Sequence, residues 1–234
     1  MRACAPERPL GPEVEPRAAR RPARVTLEGR FVRLEPLDAA RHGPALWNNL
    51  AGADQVWDYL FDAPFGDEAS FVADLARKAA SEDPRFWAVV DKTLDEAQGY
   101  ATLMRVDPVH RTIEVGNILF APALQRTPGA TESMALLATY AFEALGHRRY
   151  EWKCNALNAP SRAAAERLGF TFEGVFRQHM IVKGRNRDTA WYAMLDTEWP
   201  TAKRGFARWL ARENFDEAGR QRRSLAAMRA SGDA

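Results

Sequence analysis

The sequence predicts a mixed α/β domain, and three observations carry that expectation. Short stretches alternate apolar and polar residues, while longer ones repeat apolar residues every three to four positions, so strands and helices are interleaved. An apolar fraction of 46% and a charged fraction of 27% let a 234-residue chain bury a core. A helical stretch also separates two late strands, and such a crossover joins parallel neighbours. The sheet is therefore expected to be antiparallel early and to gain a parallel pair later.

The elements follow in order. Residues 1–24 are rich in Pro, Arg and Ala, and Pro6, Pro9, Pro12, Pro16 and Pro22 forbid a continuous helix, so a flexible or loosely docked arm is expected. Residues 30–37 (RFVRLEPL) alternate as a half-buried strand does. Asp38 caps a helix to residue 50, with an expected interruption at Gly43-Pro44. Residues 67–81 place Phe71, Val72, Leu75 and Ala79 at helical spacing. Residues 85–91, 99–106 and 112–120 read as strands, the last two joined by a turn at residues 107–110. Residues 130–145 form an amphipathic helix stopped by Gly146. Residues 149–155 (RYEWKCN) are a strand with Tyr150, Trp152 and Cys154 on one face, and residues 161–168 a short helix stopped by Gly169. Two strands, 173–182 and 189–195, flank a hairpin turn at Lys183-Gly184-Arg185-Asn186. A last helix carries Phe206, Trp209 and Leu210, and residues 219–234 are expected to fray. The division is an arm (1–24), a domain (25–200) and a C-terminal helix with tail (201–234).

Charge narrows the function. Lys and Arg number 33 against 31 Asp and Glu, a net +2, which argues against nucleic acid as partner despite the Arg-rich ends. No apolar run approaches the ~18–20 residues that span a bilayer, and no apolar signal segment opens the chain, so no membrane association is expected. Cys4 and Cys154 are too few for a disulfide framework or a thiolate zinc site, which suits a reducing cytoplasm. His42, His110, His147 and His179 show no metal-ligand spacing, so no metal is expected.

Three places can carry chemistry. The stretch TIEVGNILFAPALQRTPGATE ends a strand, turns through Gln125, Arg126, Thr127, Pro128 and Gly129, and opens a helix. Backbone N–H groups and the positive dipole end at such a helix start suit a phosphate. Thr127 is equally an ordinary N-cap with Pro128 at the first helical position. Glu114 lies in the strand ahead of it, and Gly116 signals a bulge or a close approach. Asn158-Ala159-Pro160-Ser161 opens the next helix, where Asn158 is also a good cap.

The segments LEGRFVRLEPLD, IEVG, LQRTPGATE, EWKCNALNAPSRAAAERLGF, FEGVFRQH, GRNRDTAWYAML and EWP stand in order over about residues 25–200. In this order they resemble the GNAT superfamily of acyl-CoA N-acetyltransferases, in the branch of the Rim-type ribosomal-protein N-terminal acetyltransferases. The resemblance implies an α+β fold with a mixed sheet of six to seven strands whose parallel pair splays apart. It implies acetyl-CoA as co-substrate. Pantetheine would bond the backbone of Ile118, Leu119 and Phe120, and the diphosphate would rest on Gln125, Arg126, Thr127, Gly129, Ala130 and Thr131. Pro128 replaces the family's usual Gly and removes one donor. Asn158 would hold the pantetheine amides and Ser161 would approach the thioester sulfur. The family's frequent Tyr general acid is here Ala165, which leaves Ser161 to assist the thiolate, a fair leaving group at a thiol pKa of about 8.5.

The implied activity is acetyl transfer to a primary amine, a protein N-terminus or a small amine, by direct attack in a ternary complex. A non-catalytic acyl-CoA sensor is the alternative that Pro128 and Ala165 suggest. An α-amine with pKa near 8 loses its proton more easily than a lysine near 10.4, a difference of roughly 3.4 kcal/mol. Glu114 is either the base, through a water, or a structural carboxylate. Trp57, Tyr59, Phe61, Arg177 and His179 are candidates for an acceptor pocket, and a homodimer is an open expectation. Cys154, sharing a face with Tyr150 and Trp152, reads as buried and not as a nucleophile.

Overall fold

A computed structural model describes residues 8–231. Strands β1 (Leu27–Glu28) and β2 (Val32–Pro36) lead to helix α1 (Ala39–Leu50), a 3₁₀ turn at Asp54–Trp57 and helix α2 (Glu68–Ala80). Strands β3 (Arg85–Asp91), β4 (Glu96–Asp107) and β5 (Thr112–Phe120) follow, then helix α3 (Pro128–Thr139), which runs into a π-helical turn at Tyr140–Ala144. Strand β6 (Arg149–Asn155), helix α4 (Ala159–Leu168), strands β7 (Thr171–Val182) and β8 (Arg185–Leu195) and helices α5 (Trp199–Leu210) and α6 (Leu225–Ala230) complete the chain.

One sheet of eight strands runs β1-β2-β3-β4-β5-β6-β8-β7. It has one strand more than the expected six to seven, because the short β1 pairs back onto β2, Leu27 opposite Leu34. All neighbours are antiparallel except β5 and β6, the pair that the α3 crossover joins. Each face of the sheet buries its own core. Trp87, Leu103, Ile113, Val115, Trp152 and Tyr192 pack with residues of α3, α4 and α5. Leu46, Phe71, Leu75, Tyr100 and Leu119 pack under α1 and α2.

Three expectations need correction. Gly43-Pro44 does not interrupt α1, which is continuous around Pro44. Gly43 instead lets α2 approach, since a Cβ there would lie 2.9 Å from Val72 Cγ2. Residues 219–231 do not fray as a whole. Ser224 Oγ accepts from Ala227 N at 3.2 Å to start α6, and Leu225 is buried. The hairpin turn is two residues, not four: Lys183 and Gly184 have φ of 49° and 70°, the left-handed pair a tight hairpin needs, and Val182 already pairs with Arg185.

The described part of the N-terminal arm, from residue 8, is mostly exposed, but Ala19 and Pro22 are buried. Ala19 N donates to Pro108 O at 2.9 Å, Arg20 N to Leu145 O at 2.8 Å and Ala23 N to Tyr140 Oη at 3.0 Å. Residues 1–7 and 232–234 lie outside the described residues.

Candidate active site

The parallel pair comes apart. Thr112, Ile113, Glu114 and Val115 register with Arg149, Tyr150, Glu151 and Trp152, and there the pairing ends. Strand β5 continues to Phe120 and β6 to Asn155, each held on its far side only, by β4 and β8 respectively. A bulge opposite Ala101, with Asn117 at φ 46°, bends β5 at the point of separation. Thr102 Oγ1 donates to Gly116 O at 2.9 Å and fixes the bend. The backbone edge of residues 116–120 toward β6 thus meets no strand, and except for Phe120 O, which accepts from Gln125 Nε2, it is open to an extended amide-bearing ligand. Leu119 is buried in the core beneath, while Ile118 and Phe120 are half-buried.

The loop before α3 is largely self-satisfied. Thr127 is its N-cap, and Thr127 Oγ1 accepts from Ala130 N at 3.1 Å while Thr127 O accepts from Thr131 N at 3.3 Å. Two of the three donors expected for a diphosphate are therefore engaged, and the Gly129 N–H is the one these bonds leave over. Gln125 folds back, its Nε2 donating to Phe120 O at 2.9 Å. Arg126 is exposed at φ 62°. Gly129 points its missing Cβ into the core, where it would lie 2.8 Å from Val32 Cγ1, so the lack of a side chain here serves helix-to-sheet packing while the N–H remains on the loop side. Arg167 of α4 donates to Thr131 Oγ1 at 3.1 Å and ties the two helices across this end of the wedge.

Sequence reasoning passed over Glu132. It is buried in the first turns of α3, with Oε1 accepting from Arg30 N at 2.7 Å and Oε2 from Phe31 N at 2.7 Å and Val32 N at 2.9 Å. One carboxylate thereby fixes the β1–β2 turn against the helix that carries the loop.

At the far wall of the wedge, Asn158 Oδ1 accepts from Ser161 N at 3.0 Å and caps α4. Trp152 Nε1 donates to Ser161 Oγ at 3.0 Å, so Ser161 accepts there and its hydroxyl proton is left to bond the neighbouring Cys154 sulfur or a ligand. Cys154 is buried beside Ser161, and burial pushes its thiol pKa up, the opposite of an activated thiolate. Ala165 is fully buried on the inner face of α4.

Glu114 is 1% exposed. Arg105 Nη1 donates to its Oε1 at 2.6 Å, and Lys153 Nζ lies 2.9 Å from its Oε2 and 2.7 Å from Glu151 Oε2. Lys153 also sits 3.9 Å from the Trp191 ring centroid. On the neighbouring strands, Phe176 stacks on Trp191 at 4.4 Å and His179 Nδ1 shares a 2.9 Å hydrogen bond with Thr189 Oγ1. A bulge spans residues 177–179 of β7, where Arg177 and His179 are both exposed and the His179 ring leans on Phe176 and Trp191. The segment after α1 closes the other side: Lys183 Nζ donates to Trp57 O at 2.7 Å and Tyr59 Oη to Leu157 O at 3.3 Å. Phe61 faces Arg187, whose Cζ is 5.2 Å from the ring centroid. Trp57 itself is a core residue, edge-on to Phe65 and Phe71, and offers this side its carbonyl. Arg187 and Lys153 were not singled out from the sequence.

The comparisons agree with this architecture. A family model described as Acetyltransferase (GNAT) domain matches residues 32–171. A GCN5-related N-acetyltransferase of Brucella melitensis is 48% identical at a TM-score of 0.89, covering 91% of this chain and 97% of that one. A Chromobacterium violaceum chain described as a probable acetyltransferase of the GNAT family is 44% identical at a TM-score of 0.77, over 84% of this chain and 100% of that one. The Bacillus subtilis protein named "Putative ribosomal N-acetyltransferase YdaF" is 34% identical over 105 residues, 45% of this chain and 57% of that protein. The match thus spans little more than half of that curated relative.

Proposed function

Since this chain belongs to the acetyltransferase (GNAT) family, we propose that it transfers an acetyl group from acetyl-CoA to a primary amine by direct attack in a ternary complex. The observation that carries this reading is the end of β5–β6 pairing at Val115 and Trp152, which exposes peptide groups beside Ser161 and Glu114. Acetyl-CoA supplies the activated acyl group; this chain positions both substrates and manages the protons.

In the step itself the amine nitrogen bonds to the acetyl carbon, the carbon–sulfur bond breaks and the sulfur takes the electron pair. The amine's proton passes to water. Peptide groups of residues 116–120 hold the pantetheine and can polarise the carbonyl. Gly129 N, Gln125, Arg126 and the α3 dipole receive the diphosphate, assisted by Ala130 and Thr131 if their capping bonds exchange. Asn158 keeps its Nδ2 for the pantetheine while its Oδ1 caps α4. Ser161 Oγ, already accepting from Trp152, donates a hydrogen bond to the departing thiolate, whose proton comes from the water that received the amine's.

Glu114 acts as a positioning carboxylate in this account. Both of its oxygens face cations, Arg105 on one side and Lys153 on the other. An α-amine with a reference pKa near 8 needs no strong base near neutral pH. The name of the Bacillus subtilis relative, a putative ribosomal N-acetyltransferase, favours an amine of a ribosomal component among the acceptors, and the low pKa of an α-amine favours an N-terminus over a lysine.

A CoA-thiol release assay over α-amines, lysine side chains and small amines tests the function. Turnover of at least one amine class is expected. Tight CoA binding with no turnover for any amine would favour the sensor reading.

A further inference from the structure

Arg187 is a buried cation with no carboxylate partner among the described residues. It is 7% exposed, its Nε has no hydrogen-bond partner, and among the described residues no carboxylate forms an ion pair with its guanidinium. Enclosing a charge without pairing it is costly, so such a group is normally matched by a counter-charge. The structure does not supply one. Glu114, within electrostatic reach, is already shared by Arg105 and Lys153, and Glu151 is shared by Lys153 and Arg149. The neighbourhood therefore holds more positive than negative charge.

Its location gives the surplus a meaning. Arg187 lies on β8 opposite Met180 of β7, two residues before Thr189, which pairs with Asn155 at the free end of β6. Phe61, 43% exposed, covers it from the segment after α1. This is the side of the wedge away from the α3 loop, where an acceptor would enter. A guanidinium fork matches a carboxylate with two parallel hydrogen bonds, and the aromatic ring holds the fork in orientation.

We propose that Arg187 is a specificity-determining residue that binds a carboxylate carried by the acceptor amine, with Phe61 as the wall of the subsite. The name "acceptor" rests on the acetyl-transfer reading; carboxylate binding by Arg187 does not. The carboxylate can belong to a free amino acid or to an acidic side chain near a peptide N-terminus, and the two sources are separable.

The test uses matched pairs on the full chain: β-alanine against its amide, and an amidated Ser-Asp-Ala peptide against Ser-Asn-Ala. CoA-thiol release gives kcat/KM, and calorimetry on the CoA-loaded protein gives the Kd of each compound. In one of the two pairs the carboxylate member is expected to be preferred at least tenfold, and that pair names the source. Arg187→Met should reduce the preference to within twofold, and Arg187→Lys should retain part of it. An unchanged CoA affinity and melting temperature show that the variants fold. Equal handling of both members by the wild type, or equal loss of both in Arg187→Met, would overturn the proposal. If no amine turns over, acetyl transfer fails as the activity, and the calorimetric preference alone decides the role of Arg187.

Discussion

Lys153 Nζ lies 2.9 Å from Glu114 Oε2, an ion pair placed where β5 and β6 part company. Glu114 is one residue before the last paired position and Lys153 one residue after it. Arg105 of β4 takes the other carboxylate oxygen at 2.6 Å, so three strands are stitched at the branch point. Side-chain exposures of 2% for Glu114 and 8% for Lys153 make the pair a buried one. Breaking such a pair from one side typically costs about 3–5 kcal/mol.

Glu114→Gln is therefore expected to lower the melting temperature by roughly 6–20 °C, from a scale of about 2–4 °C per kcal/mol for a chain of this size. Turnover should fall, yet the acid limb of the pH–rate profile should persist, because that limb belongs to the acceptor amine. Disappearance of the acid limb with an unchanged melting temperature would make Glu114 the base.

Ser161→Ala is expected to lower kcat about tenfold with little change in KM for acetyl-CoA. The loss is modest because a thiolate with a conjugate acid of pKa about 8.5 leaves without much help. Steady-state kinetics on the purified variant measure it, and an unchanged kcat would remove Ser161 from assistance to the thiolate.

Glu132→Ala should be among the most damaging single changes. It strands the N–H groups of Arg30, Phe31 and Val32, each now bonded to a buried carboxylate. At about 1–3 kcal/mol per unsatisfied group, several kcal/mol are at stake. Denaturant titration should show a lower midpoint, with Glu132→Gln in between.

Gly129→Ala tests packing and not ligand contact. The added methyl would meet Val32 Cγ1 at 2.8 Å, an overpacking typically worth about 1–3 kcal/mol. Val32→Ala should relieve part of that cost in the double variant, which a double-mutant cycle reads directly. Strict additivity would show that the two residues do not touch.

Stability should decline as pH falls from 7 toward 5.5. Burial lowers the pKa of both His42 and His147 below the ordinary 6.5. Below that value the unfolded chain takes up protons that the folded chain refuses, so the unfolded state gains. His42 Nδ1 accepts from Asp38 N at 3.0 Å, which requires that nitrogen to be unprotonated. Thermal melts across this range in wild type and His147→Asn should differ in slope, the variant being flatter.

Element types were legible because each rests on a local signal. Asp38, Thr127 and Asn158 announce helix starts by capping, and each accepts the expected N–H. The parallel pair followed from the crossover alone. What stayed hidden depends on distant partners. Ala19 and Pro22 are ordinary arm residues until Pro108 and Leu145 supply bonding partners for their segment. Gly129 has the look of a ligand cradle until Val32 is placed against it. Arg187 fell between an assumed four-residue turn and a strand begun at Thr189. With the turn shortened to two residues it shares a strand face with Thr189 and Trp191, and a buried Arg among them becomes visible.

The most direct measurement is a crystal structure of the full chain grown with acetyl-CoA. Continuous density for the pantetheine arm between residues 116–120 of β5 and the free end of β6, with the thioester beside Ser161, is the predicted result. Density for the arm elsewhere, or a β5–β6 ladder paired beyond Val115 and Trp152 with the ligand excluded, would contradict it.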